Sequence, residues 1–166
     1  MNFSVRQATP DDVPGIVALL PRLADFDIPA HRVPEHLWHG DRDMLQEWKA
    51  GQRPEVDVLI ACNNEQVVGV AVLSQRKELL SGNPSAHLEV LATDANSVGQ
   101  GIGSALMKAT EALALERGAT SISLHVFAVN TRARALYERH GFDGELMRYL
   151  KPLKHNSTDD AAAEKV

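Results

Sequence analysis

The chain has 166 residues, of which 44% are hydrophobic, so it can bury one sizeable core and we expect a single domain. Its formal net charge of −5 argues against a general role in binding nucleic acid or membrane surfaces, because phosphate-rich partners select basic faces. The chain has a single cysteine, no apolar run of membrane-spanning length and no basic-then-apolar start. Together these features lead us to expect a cytoplasmic protein.

The first third of the chain predicts one strand and two helices. Alternating side chains indicate a strand over residues 3–8. Residues 9–12 are typical of a helix start, with a capping threonine, a proline at the first helical position and two carboxylates. Apolar residues then recur at helical spacing to about Ala24, and a shorter helix is expected from Asp41 to about Lys49.

The rest of the chain predicts five extended segments and two helices. In order, these are strands at 56–62, 67–73 and 86–93, a helix that ends at Gly118, a strand at 122–127, a helix from Asn130 to His140 and a last strand within the extended stretch 142–153. Residues 154–166 are polar and have no periodic apolar face, so we expect a disordered tail after a domain at 1–153. This order predicts a mixed α/β sheet with helices packed against it.

The segment 98–106 carries the strongest functional signal. Glycines occupy positions 99, 101 and 103, directly before a strong helix pattern, so the first N–H groups of the helix are left uncovered. These donors lie at the positive end of the helix dipole, and glycine lets a bulky anion approach them closely. The segment therefore predicts a pyrophosphate-binding loop.

Two familiar phosphate-binding motifs do not fit this loop. A dinucleotide-binding motif needs Gly-x-Gly-x-x-Gly, but its third glycine position holds Ser104 or Leu106, depending on where counting begins. That motif also needs an acidic residue at the end of the next strand, which instead ends near Phe127 without one. No Gly-Lys-Ser/Thr follows, so the Walker pattern fails as well.

Through this loop and a second motif one strand later, the chain resembles the GNAT superfamily of acetyl-CoA-dependent N-acetyltransferases. The superfamily's loop, Gln/Arg-x-x-Gly-x-Gly/Ala, is matched at Gly101 and Gly103 but has Val98 at its first position. Its next helix commonly reads Asn-x-x-Ala-x-x-x-Tyr-x-x-x-Gly-Phe, and the matching residues are Asn130, Ala133, Tyr137, Gly141 and Phe142. The resemblance implies an α/β fold with a mixed, mostly antiparallel twisted sheet, a parallel central strand pair and about four flanking helices.

The resemblance also implies that acetyl-CoA is the co-substrate. Because Val98 lacks the usual amide or basic side chain, we expect backbone N–H groups to supply most of the pyrophosphate contact. Backbone groups of the preceding strand are expected to bind the pantetheine arm where two parallel strands splay apart. The implied cofactor-binding residues are Leu91, Ala92, Thr93, Val98, Gly99, Gln100, Gly101, Ile102, Gly103, Ser104, Asn130, Ala133 and Tyr137.

Two side chains are candidates for catalytic proton transfer. Tyr137 is either an aromatic packing residue or, as the resemblance implies, the acid that protonates the departing CoA thiolate. Glu89, in the strand before the loop, is either a salt-bridged rim residue or, by resemblance, the base that takes a proton from the substrate amine, often through water.

Alternation assigns the two faces of the strand that carries Glu89. It places His87, Glu89 and Leu91 on one face, and Leu88, Val90 and Ala92 on the other. His87 is therefore a rival base with a suitable ordinary pKa. A third candidate is His125, unless it packs on a strand face.

The irregular segment between Phe26 and Trp38 is where we expect acceptor selection, or alternatively packing of a loop onto the core. Its histidines, at 31, 36 and 39, match no familiar ligand spacing, and we expect no metal. The acids of this segment would attract a cationic amine, whereas its arginine would hold a carboxylate, so the acceptor's charge stays open. The substrate-binding candidates are Phe26, Arg32, Trp38 and His87.

The leading hypothesis is direct transfer of an acetyl group to a primary amine of a small molecule or peptide. The alternative is a non-catalytic acyl-CoA-binding regulatory module. We expect no nucleic-acid or membrane partner, and either a monomer or a homodimer.

Overall fold

The computed structural model describes residues 2–154, so the predicted disordered tail lies outside the described residues except for Lys154. The strands and α-helices are, in chain order, β1 (Ser4–Gln7), α1 (Val13–Leu19), α2 (His39–Lys49), β2 (Val56–Asn63), β3 (Gln66–Lys77), β4 (Pro84–Thr93), α3 (Ile102–Glu116), β5 (Ile122–Leu124) and α4 (Thr131–Arg139). The first predicted helix is divided, because a 3-10 helix at Leu20–Ala24 continues α1.

The five strands form one sheet in the order β1-β2-β3-β4-β5. The first four strands are antiparallel to their neighbours, and β5 runs parallel to β4. This arrangement confirms the predicted fold class, a mostly antiparallel mixed sheet with a parallel pair and four α-helices. Within residues 2–154, every helix is too short or too polar to cross a membrane.

The last predicted strand does not form, so that prediction was wrong. Residues 143–154 are exposed and make no strand pairing. Pro152 has no N–H to donate and Gly144 weakens a strand, while β5 offers a partner of only three residues. As a result β5 is the edge of the sheet, and a depression of about 390 Å³ lies between β5, α3 and the turn at Phe142.

The sheet is covered on both faces. Helices α1 and α2 pack on one face, where Ile16 and Leu45 are fully buried against β2, β3 and β4. Helix α3 packs on the other face, where Leu106 and Met107 are fully buried. Burying a side chain of this size is worth about 1.5–3 kcal/mol, so apolar packing holds both layers to the sheet. Strand β4 lies between the two layers.

A β-bulge interrupts β4 at Glu89. Residues 72 and 73 are adjacent in β3, yet their partners in β4 are residues 90 and 88. Glu89 therefore has no partner residue in β3. Such an extra residue breaks the alternation of a strand and re-aims its side chains.

The bulge changes which residues of β4 share a face, so the predicted assignment of faces is wrong. Leu88 is buried in the core on the α3 side and Val90 in the core on the α1/α2 side, although alternation predicted one face for both. His87 and Leu91 also lie on opposite sides, because Leu91 packs against the α3-side core whereas His87 alternates with Leu88. The prediction of strict alternation was wrong at this point because it allowed for no extra residue.

Candidate active site

The glycine loop enters α3 through two left-handed residues. Gly99 and Gly101 have φ angles of 81° and 78°, and a Cβ atom at either would meet nothing within 4 Å. Gly101 is the N-cap of α3 and supplies no side-chain acceptor. Among residues 2–154, the backbone N–H groups of residues 102–104 have no hydrogen-bond acceptor. The helix start therefore presents uncovered donors beside open space.

The polar side chains of Gln100 and Ser104 in the loop form hydrogen bonds with other residues of the chain. The Ser104 hydroxyl lies 3.0 Å from Nε2 of His140, and Gln100 Nε2 donates to the backbone oxygen of Asn96 at 3.4 Å. Val98 is 46% exposed and brings no charge. The uncovered polar surface of the loop is therefore formed by backbone.

The parallel strands part just before the loop. Pairing between β4 and β5 covers only residues 86–88 and 122–124. Beyond this point, residues 91–93 pair with β3 on one side alone. Arg22 Nε donates to the carbonyl oxygen of Thr93 at 3.1 Å, which engages that acceptor. Residues 91–93 thus form a one-sided stretch of strand that runs into the glycine loop.

Glu89 is fixed through one of its two carboxylate oxygens. Oε1 accepts a hydrogen bond from the Ser74 hydroxyl at 2.5 Å and another from the Arg76 guanidinium. Arg76 also donates to the Ser74 hydroxyl at 3.2 Å. Oε2 accepts no hydrogen bond from the described part of the chain, and the side chain is 23% exposed. The second oxygen is therefore free to receive a proton or a donor.

His87 is buried beside this carboxylate. Its Nδ1 lies 2.8 Å from the Ser123 hydroxyl, and its ring centre is 4.7 Å from that of His125. Burial is the main cause that lowers the pKa of His87 to about 4, with help from the charges of Arg76 and His125 and against that of Glu89. His87 is therefore neutral at physiological pH and a weak proton acceptor.

Asp41 lies at the inner face of α2, and sequence reasoning did not single it out. It lies on the face of α2 that carries the buried Met44 and Leu45, three and four residues later. Burial, with a smaller contribution from the Glu89 carboxylate, raises the pKa of Asp41 to about 7, while His39 acts in the opposite direction. The helical spacing of these residues was the signal that could have found it.

Tyr137 lies apart from the Glu89 group. It is half-buried against the core on the α3 side, and its ring stands edge-on to Phe142 with ring centres 6.0 Å apart. Burial raises the pKa of its hydroxyl, so the phenol is neutral at physiological pH. Within residues 2–154 the hydroxyl makes no hydrogen bond, which leaves a free O–H donor.

Asn130 acts as the cap predicted for α4. Its side-chain oxygen accepts a hydrogen bond from the backbone N–H of Ala133 at 3.2 Å. This bond fixes the first turn of the helix that carries Tyr137.

The three candidates from the loop between α1 and α2 have different surroundings. Phe26 packs on Phe127, just beyond β5, with ring centres 5.4 Å apart. Trp38 packs against the α1/α2-side core, and the guanidinium of Arg42 lies 6.0 Å from its ring centre. The Nε atom of Arg32 is buried and has no acceptor among the described residues. Arg32 is therefore the member of this group with an unmet hydrogen bond.

The fold and the site define an α/β protein in which two parallel strands separate near a helix start with uncovered backbone N–H groups. The family model described as Acetyltransferase (GNAT) family matches residues 20–142, which is more than half of the chain. The chain therefore belongs to the GNAT family of acetyltransferases, a family that generally uses acetyl-CoA. No curated protein sequence matches the chain significantly.

Solved structures of several activities share this fold. A transcriptional regulator from Bacillus halodurans C-125 is 25% identical with a TM-score of 0.70, and the alignment covers 92% of this chain and 100% of that one. An aminoglycoside acetyltransferase from an uncultured soil metagenomic sample is 22% identical with a TM-score of 0.65, covering 92% and 97%. A ribosomal-protein-alanine N-acetyltransferase from Brucella melitensis biovar Abortus 2308 is 18% identical with a TM-score of 0.68, covering 92% and 100%. These likenesses establish the fold and leave the acceptor open.

Proposed function

We propose that this chain is an N-acetyltransferase that moves an acetyl group from acetyl-CoA to a primary amine by direct transfer. The observation that carries the proposal is the continuity of β4. Glu89 stands at its bulge, residues 91–93 form its one-sided stretch, and the glycine loop follows. A carboxylate, an unpaired strand edge and an anion-binding helix start therefore follow one another along the backbone.

The glycine loop is proposed to hold the pyrophosphate of acetyl-CoA mainly by backbone. Uncovered N–H groups at residues 102–104, the room beside Gly99 and Gly101, and the positive end of the α3 dipole support this role. Residues 91–93 are proposed to bind the pantetheine amides as an added strand would. Asn130 and Ala133 contribute by fixing the first turn of α4.

Glu89 is proposed as the base. An ammonium has no lone pair with which to attack a thioester, so its proton passes to the free Oε2, directly or through a water. The neutral amine then adds to the thioester carbon, and backbone N–H groups near residues 91–93 stabilise the oxyanion. His87 is less suited to this step, because its lowered pKa makes it a weak acceptor.

Tyr137 is proposed as the acid for the leaving group. When the tetrahedral intermediate collapses, the C–S bond breaks and the sulfur keeps the electron pair. Tyr137 donates its hydroxyl proton to that thiolate and is reprotonated from solvent, while the nitrogen loses its second proton to water. A neutral phenol with a free O–H supports this role.

The proposed acceptor is a small-molecule or peptide amine, modified in the cytoplasm by a monomer or homodimer. The carboxylate of Glu89 favours a cationic amine at the reacting end. The unmet Nε donor of Arg32 favours an acceptor that also carries a carboxylate or another oxygen.

Two measurements test the function in sequence. Isothermal titration with acetyl-CoA is expected to show binding, and thiol release is then followed with a panel of a polyamine, an aminoglycoside, an amino acid and a short peptide. Amine-dependent release supports the enzyme. Binding without release for every class of amine would favour the non-catalytic module, and no binding at millimolar acetyl-CoA would overturn both.

A further inference from the structure

Helix α4 carries Tyr137, yet little of it is buried in the core. None of its nine residues is fully buried, and Tyr137 packs on the α3-side core only from the edge. Apolar packing of this kind has no preferred direction, and a helix this short is not stable by itself. The place of the Tyr137 hydroxyl therefore depends on the directional contacts that α4 makes.

His140, directly after the last residue of α4, makes such a contact with α3. Its backbone N–H donates to the carbonyl oxygen of Tyr137 at 3.0 Å, which joins it to the helix. Its Nε2 lies 3.0 Å from the hydroxyl oxygen of Ser104, in the first turn of α3. Its Nδ1 lies 3.9 Å from a carboxylate oxygen of Glu111, two turns further along the same face of α3. The side chain is 12% exposed, so the imidazole lies between the two helices and is largely shielded from water.

Within residues 2–154, every other side-chain hydrogen bond or ion pair of α4 is local. Arg134 donates to the carbonyl oxygen of Ala128 and pairs with Glu138, one turn along its own helix. An apolar contact lies beside the polar one, because a Cβ atom at Gly103 would stand 3.4 Å from Cδ2 of Leu136. Helix α4 thus stands against the glycine loop, and His140 supplies the directional part of that contact.

We propose that His140 is the positioning residue for Tyr137. Its hydrogen bond with Ser104 fixes α4 against the helix start that is proposed to hold the pyrophosphate, and so sets the phenol relative to the bound cofactor. This inference rests on the proposed function, because it needs both the pyrophosphate loop and the acid. His140 transfers no proton in this role. It matters for the rate because a reacting group displaced by about 1 Å can lose about 100-fold in rate.

The kinetic test compares His140→Leu with His140→Gln, whose amide can still bond to Ser104. The matched control is Glu138→Gln, because the exposed Glu138 makes its ion pair within α4. With the best amine of the panel, kcat is expected to fall at least about tenfold in His140→Leu, to recover in His140→Gln and to stay unchanged in the control. The Kd for acetyl-CoA is expected to change by less than about threefold in all three, since the backbone N–H groups of the loop remain. A kcat of His140→Leu equal to that of the wild type would overturn the proposal.

A double variant separates positioning from general damage to the fold. Once Tyr137→Phe has removed the hydroxyl, its position no longer affects the rate. Adding His140→Leu to Tyr137→Phe is therefore expected to cause no further loss of kcat. Losses that multiply in the double variant would show that His140 supports the fold as a whole, and would overturn its role in positioning Tyr137.

A measurement on the free protein separates failure of this inference from failure of the proposed function. Amide hydrogen exchange in α4 reports how firmly the helix is held, whichever ligand the protein binds. Exchange is expected to be faster in His140→Leu and in Ser104→Ala than in the wild type and in Glu138→Gln. Equal exchange in His140→Leu and the wild type would overturn the link between α4 and α3 and leave acetyl transfer untouched. Faster exchange in a protein that turns over no amine of the panel would overturn the proposed function and, with it, the positioning role.

Discussion

The guanidinium of Arg76 donates to Oε1 of Glu89 and forms an ion pair with it. This ion pair fixes the side chain of a bulged residue that has no partner residue in β3. Glu89 lies on the α1/α2 side of the sheet, where Ser74 donates to the same oxygen, and the bulge brings the next residue, Val90, to that side as well. Ser74 and Arg76 are two residues apart on β3, so both project from one face. A charge-assisted pair of this kind orients the carboxylate and leaves its other oxygen for chemistry.

The charge of Arg76 also sets the protonation of His87. Because Arg76 is the second largest cause of the lowered His87 pKa, after burial, Arg76→Gln is expected to raise that pKa above about 4 while burial keeps it below 6.5. An NMR titration of the histidine side chains measures it. Arg117→Gln removes a guanidinium paired with Asp57 and is expected to leave His87 unchanged. A His87 pKa that is the same in Arg76→Gln would contradict the assigned cause.

The left-handed glycine at the start of α3 is expected to matter for both stability and binding. Gly101→Ala places a methyl group at a φ of 78°, which costs about 1–2 kcal/mol of unfolding free energy, and it narrows the approach to the uncovered N–H groups. Gly118→Ala, with a φ of 85° just beyond the other end of α3, is the matched control. Denaturation is expected to show similar losses for both variants, whereas titration with acetyl-CoA is expected to show weaker binding for Gly101→Ala alone. Equal affinities of the two variants for acetyl-CoA would contradict binding of the cofactor by this loop.

Removal of one hydroxyl tests the acid. Tyr137→Phe is expected to lower kcat about 100-fold with little change in the affinity for acetyl-CoA, because the proton is needed only as the thiolate leaves. Its thermal midpoint is expected to stay unchanged, since the hydroxyl bonds to no residue in the described range. Tyr149→Phe, at the exposed tyrosine of the chain, is the control and is expected to leave kcat unchanged. Unchanged turnover in Tyr137→Phe would make the residue purely structural.

The buried charge of Asp41 is expected to cost stability at neutral and alkaline pH. The folded pKa of about 7 lies above the ordinary 3.8, so the folded state binds more protons between these values and stability falls as pH rises from about 4 to about 7. With allowance for its partial exposure, Asp41→Asn is expected to gain about 1–2 kcal/mol over the wild type at pH 8, with the gain shrinking toward pH 4. Urea denaturation at both pH values measures this, and a pH-independent difference would contradict it.

Local chemistry explains what could be predicted from the sequence. The uncovered start of α3 follows from glycines placed before a helix, and the cap at Asn130 follows from one side chain and a backbone N–H three residues on. The parallel pair of strands was implied by the family resemblance, which the fold confirms.

Non-local geometry explains what could not be predicted. The bulge depends on how β4 aligns with β3, and the residue types in β4 do not indicate it. The ion pair between Arg76 and Glu89 depends on the strand register, and the partial burial of Asp41 depends on where α2 packs, so neither could be read from the sequence. The strand expected after Phe142 does not form, because an extended segment does not by itself provide a neighbouring strand with which to pair.

The most direct measurement is mass spectrometry of the acceptor after incubation with acetyl-CoA that carries an isotopically labelled acetyl group. We expect the label to appear in an amide of a primary amine, in equal amount to the free CoA released. The yield is expected to drop in both Glu89→Gln and Tyr137→Phe. Acetyl-CoA that binds but never passes its label to any amine would contradict catalysis by this chain.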